Sequence, residues 1–126
     1  MVFSPFILTL DKRCHKLMYK VLLFYLKTNS IKVTIEAYFE DEKLVVEGYD
    51  IGKAAEEFWG DSDYEYSTTI APEEVKKLYP LFGVEEGAKE RLLDAIKKIF
   101  HTNTCYSEFS EFLVKNNIKS EGFSWT

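Results

Sequence analysis

The sequence predicts an α+β domain in which an antiparallel sheet carries its helices on one face. Two observations predict it: side chains alternate apolar and polar from Ile31 onward, and later segments repeat apolar residues at helical spacing between recognisable caps and stops. The chain has 126 residues, 46% apolar and 16% aromatic, which is enough for one core and too rich in aromatic residues for disorder.

Ile31, Val33, Ile35, Ala37 and Phe39 alternate with Lys32, Thr34, Glu36, Tyr38 and Glu40, the pattern of a half-buried strand. Asp41 and Glu42 make the turn, and Leu44 to Tyr49 is the return strand of a hairpin. A turn without glycine points to a four-residue loop rather than a two-residue one. Asp50 suits an N-cap, with Ile51, Ala54, Ala55, Phe58 and Trp59 on one face of the helix it would start and Gly60 as the stop. Tyr64 to Ile70 is rich in aromatic and β-branched residues and reads as a strand.

Pro72 fits the first position of a second helix, with Glu73 and Glu74 at its positive end and Val75, Leu78 and Tyr79 on its apolar face. Pro80 and Gly83 end it. A third helix, about Glu85 to His101, buries Ala88, Leu92, Ala95, Ile96 and Ile99, and Lys97, Lys98 and His101 complement its negative end. Thr104 caps a fourth, whose stripe is Cys105, Phe109, Phe112 and Leu113, with Asn116 and Asn117 suited to a left-handed terminus. Ile118 to Trp125 is a last strand. The order is β-β-α-β-α-α-α-β, about four strands. Residues 31–126 form the single domain, and residues 1–30 are a basic, apolar leader: a loose arm, an extra strand, or an artefact of a start at Met18.

Charge divides unevenly. Residues 1–32 carry six basic groups against one acidic, and the remainder ten basic against twenty acidic, within a net charge of −5. A body this acidic repels phosphate backbones, so nucleic-acid binding is unfavourable and a basic protein partner is favoured. No run reaches the roughly 18 apolar residues of a membrane helix. The leader places hydrophobe before charge, the reverse of a secretory signal, and Cys14 and Cys105 read as thiols, so the expected location is the cytoplasm. Oligomeric state stays open.

The candidate site is the stretch Trp59 to Tyr66. On an extended chain Asp61, Asp63 and Glu65 share one face, and Ser62, Tyr64 and Tyr66 the other. As metal ligands the carboxylates would stand side by side on a straight strand. An EF-hand register from Asp61 puts Tyr66 where glycine is needed and Pro72 where the closing glutamate is needed, so neither metal nor cofactor is expected. The row suits recognition of a basic partner better, with Asp61, Asp63 and Glu65 steering it and Trp59 anchoring it. Cys105 stands in the first turn of a helix, four residues after His101, where a dipole can activate a thiol; it also begins an apolar stripe, which favours burial.

Glu47-Gly48-Tyr49-Asp50-Ile51-Gly52, then Gly60-Asp61-Ser62-Asp63-Tyr64-Glu65-Tyr66, and finally Phe123-Ser124-Trp125 resemble a group of small, functionally uncharacterised bacterial proteins, over about Ile31 to Thr126. The resemblance implies a bacterial single-domain protein and brings no activity with it. In its small acidic character the chain is also similar to immunity proteins that neutralise toxins. The expected function is therefore an acidic protein-binding module, of immunity type, that masks a basic surface. One alternative is an enzyme working through Asp61, Asp63 and Glu65 with a metal, or through the Cys105 thiol. The other is a structural subunit of a homo-oligomer.

Overall fold

A computed structural model describes residues 6–11, 16–52 and 63–125, with side chains from 19 to 52 and from 64 to 124. The chain is α+β. Six strands, β1 (Phe6–Asp11), β2 (Lys16–Lys27), β3 (Ile31–Glu40), β4 (Lys43–Gly52), β5 (Asp63–Ile70) and β6 (Glu121–Trp125), lie in chain order in one sheet. Each pairs antiparallel with the next. Four helices, α1 (Pro72–Val75), α2 (Leu78–Leu81), α3 (Lys89–Ile99) and α4 (Cys105–Lys115), are inserted between β5 and β6. Among the described residues the sheet thus has six strands where the sequence predicts about four, and β2, an inner strand, brings Val21 and Leu23 to the core.

Register decides which side chains face the helices. Ala37 pairs with Val46 and Val46 with Thr68, while Phe39 pairs with Leu44 and Leu44 with Ile70. Residues directly opposite share a face, so these rows form one apolar surface. That surface and all four helices, through Val75, Leu78, Leu92, Leu93, Ile96, Phe109 and Leu113, meet in one buried cluster. The alternate rows, among them Glu36, Glu47 and Ser67, face the other way. Between Leu22 and Phe24 the β2–β3 register shifts; the extra residue bends β2 over the core, and Val21 and Leu23 are both buried.

Several local expectations are corrected. The β3–β4 turn is a two-residue one: Asp41 and Glu42 have φ of 50° and 68°, as a type I′ turn requires, so the loop reaches without glycine the geometry that glycine usually supplies. The helix expected to start at Asp50 does not start there. Asp50, Ile51 and Gly52 continue β4, paired with Val33, Lys32 and Ile31, because the ladder on β3 outweighs a local capping preference. The rest of that expected helix, including Trp59 and Gly60, lies outside the described residues.

The single helix expected from Pro72 is two short ones. Pro80 lies inside α2, in its first turn, where its missing N–H has no helical partner to lose. Gly83 (φ 65°) does end α2: its N–H donates to the Pro80 carbonyl and that of Val84 to the Tyr79 carbonyl, a Schellman pair. Asn117 (φ 57°) ends α4 in the same way, with Ile118 N–H on the Leu113 carbonyl and both side chains buried. The third expected helix is shorter than predicted, because Gly87 (φ 92°) and the non-helical Ala88 delay its start; Ile99, expected inside, is 59% exposed. Thr104 holds the N-cap position of α4 but makes no side-chain capping bond; the Thr102 hydroxyl accepts from the Thr104 N–H instead.

The last strand starts at Glu121 and not at Ile118. Its approach is tied down by Glu74 of α1, whose Oε1 accepts from the Lys119 backbone N–H at 2.8 Å and from Lys77 Nζ at 2.9 Å. These two bonds, the backbone one first, hold the Glu74 carboxyl below its ordinary range.

Candidate functional site

The face of the sheet turned away from the helices gathers carboxylates. Glu36 on β3 stands directly opposite Glu47 on β4, and Glu65 on β5 is the diagonal neighbour of Glu47, through the pairs Glu47–Ser67 and Tyr49–Glu65. Diagonal neighbours in a sheet are about 7–8 Å apart. A groove of about 510 Å³ runs along this face, and its walls include Thr34, Glu36, Glu47, Tyr49, Glu65 and Phe123. No described helix packs there, since all four contribute to the cluster on the opposite side.

Glu47 is the centre of the row. Burial between neighbouring strands pushes its carboxyl above the ordinary range; the Tyr38 hydroxyl, donating to its Oε2 at 3.1 Å, and Lys20 pull it down, and Glu36 and Glu65 push it further up. Lys20 also sits over the Tyr38 ring, 4.8 Å from its centroid. The Tyr38 phenol is in turn held protonated by burial and by Glu47. The groove therefore has a partly desolvated, negatively charged floor with an aromatic rim, Tyr49 and Phe123, the latter 57% exposed.

Glu65 is exposed on this face, and Asp63 begins β5, paired with Ile51. Asp61 and Trp59 lie outside the described residues. Tyr64 and Tyr66 face the helices: the Tyr66 ring meets Tyr106 of α4, with centroids 4.6 Å apart, and its hydroxyl donates to Asp50 Oδ1 at 3.1 Å. Gly48, opposite Tyr66, makes this possible, because a Cβ at Gly48 would overlap the ring. Glu36 and Glu47 were missed as site residues. Their signal is legible, since any hairpin centred on Asp41 and Glu42 places the two opposite each other.

Cys105 belongs to the core. It is fully buried, and burial, then Glu108, pushes its thiol up to about 11, so it stays protonated at neutral pH. His101 places Nδ1 3.2 Å from the Lys97 carbonyl, the position of a helix C-terminal cap. Among the described residues no group of three or more His, Cys, Asp and Glu is placed to hold a metal ion, and no helix is long and apolar enough to cross a membrane. No protein-family model, curated protein or solved structure matches the chain.

Proposed function

We propose that this chain is a protein-binding module that uses the helix-free face of its sheet to mask a basic surface on a partner, in the manner of an immunity protein. The observation that carries this reading is the pairing of Glu36 with Glu47, with Glu65 on the next strand. Like charges directly opposite in a sheet destabilise it, and at Glu47 the Tyr38 hydroxyl and Lys20 offset part of that repulsion. A lysine or arginine lying along the groove would turn that repulsion into attraction, while Tyr49 and Phe123 supply apolar contact. The bacterial cytoplasm is the setting this reading takes, resting on the sequence resemblance and on the cysteines as thiols.

The test is Glu36→Gln/Glu47→Gln/Glu65→Gln, compared with wild type for partner capture from lysate at low and moderate salt. Capture should fall by more than about tenfold, with the greater loss at low salt, where steering by charge is strongest. Capture unchanged at both salts would sink the reading.

A further inference from the structure

We infer that the helix-free face of the sheet closes on a second copy of this chain, in a two-fold, face-to-face dimer in which lysines at one end of the face cover the glutamates at the other. The inference rests on the reading above only in taking the same groove as a docking surface. It requires no foreign partner, and a basic partner would have to displace the second copy.

The face carries two like-charge pairs of opposite sign. Lys27, at the end of β2, stands directly opposite Lys32 on β3; four residues further along β3, Glu36 stands directly opposite Glu47. Positions an even number apart on a strand share a side, so both pairs point away from the helices, about 13 Å apart at roughly 3.3 Å per residue. Lys20 and the Tyr38 hydroxyl offset part of the charge at Glu47 from within the chain. The lysine pair has no comparable relief. Both lysines are exposed, and among the described residues neither forms a salt bridge; Lys32 has only the Tyr25 ring, its Nζ 6.0 Å from the centroid.

This arrangement makes the face complementary to itself. A two-fold axis lying across the strands near Thr34, between the two pairs, brings the lysine end of each copy over the glutamate end of the other. Every contact of such an isologous interface is made twice, so two repulsions in each chain become two attractions across the dimer. Stacked sheets lie about 10 Å apart, a gap that lysine side chains can bridge. Apolar contact is supplied on the same face by Tyr25, opposite Thr34, and Phe123, opposite Ser67, which are 49% and 57% exposed.

The area is sufficient. Strands β2 to β6, about 4.8 Å apart and roughly 26 Å long, present on the order of 600 Å² per copy, and the two copies together reach the lower end of specific interfaces, about 1,200 Å².

The experiment measures the mass of the purified full chain by sedimentation equilibrium from about 1 μM to about 1 mM, for wild type and two charge reversals. Wild type should reach twice the chain mass within that range. Lys27→Glu/Lys32→Glu, at two exposed positions, and Glu36→Lys/Glu65→Lys should each dimerise at least about tenfold more weakly, with melting temperatures confirming that both are folded. An equimolar mixture of the two variants should dimerise again, because one face is then wholly acidic and the other wholly basic. A monomer throughout the range, a dimer that neither reversal weakens, or two folded variants whose mixture stays monomeric overturns the inference. Since no other protein is present, a monomer here leaves the capture result from lysate standing, and a failed capture leaves the dimer standing.

Discussion

On the helix side of the sheet, Val21, Ala37, Leu44, Val46 and Ile70 lose all solvent contact, and their rows continue into Leu78, Leu92 and Phe109. One residue along the same strands, on the other side, Glu36 meets Glu47, and Glu65 stands beside them. The helix side gains by area removed from water, at about 25 cal/mol per Å². The other side carries a repulsion that the Tyr38 hydroxyl and Lys20 offset in part at Glu47. One sheet thus separates two tasks, with cohesion on one face and charge on the other. The second task is tolerable because a cross-strand like-charge pair costs less than about 1 kcal/mol.

The comparison can be broken most heavily from the helix side. Phe109 is 1% exposed, edge-on to Phe100 and stacked with Phe112, so Phe109→Ala should lower stability by about 3–5 kcal/mol in urea denaturation. Next, Gly48→Ala forces a methyl into the space of the Tyr66 ring, which Tyr106 and Asp50 hold in place; a loss of about 1–3 kcal/mol is expected by the same measurement, with shifted Tyr66 and Tyr106 resonances.

The smallest effect has the opposite sign and falls on the other face. Glu47→Gln removes the repulsion while keeping an acceptor for Tyr38, and should raise stability by up to about 1 kcal/mol at neutral pH. The sign in pH follows from the raised Glu47 carboxyl. The folded chain holds that proton more tightly than the unfolded chain, so its contribution to stability falls as pH rises from the ordinary glutamate value through the raised one, and is regained in acid. Urea midpoints across that window should decline in wild type and flatten in Glu47→Gln.

Elements with strong local patterns were legible. The strand read over Tyr64 to Ile70 is β5, the Cys105, Phe109, Leu113 stripe is the buried face of α4, and Asn117 takes the left-handed position. Asp50 shows where local reading fails. A cap before an apolar-periodic run is a sound helix signal. Here the same residue completes a ladder with Val33 and accepts the Tyr66 hydroxyl, and neither partner is near in sequence. Pro80 misleads for a related reason, since its effect depends on whether it falls in the first turn of a helix, and the division of the expected helix into α1 and α2 settled that.

By itself the sequence determined the α+β class, the apolar stripes, the acidic body and the outward direction of Glu65, because these follow from periods of two and 3.6 residues and from composition. The tertiary structure alone decided that β2 lies within the sheet, that Gly48 makes room for Tyr66, and that Glu36, Glu47 and Glu65 share one face across three strands. These are matters of strand order and register, set by which apolar faces can be buried together, and that balance is struck between residues far apart in the chain.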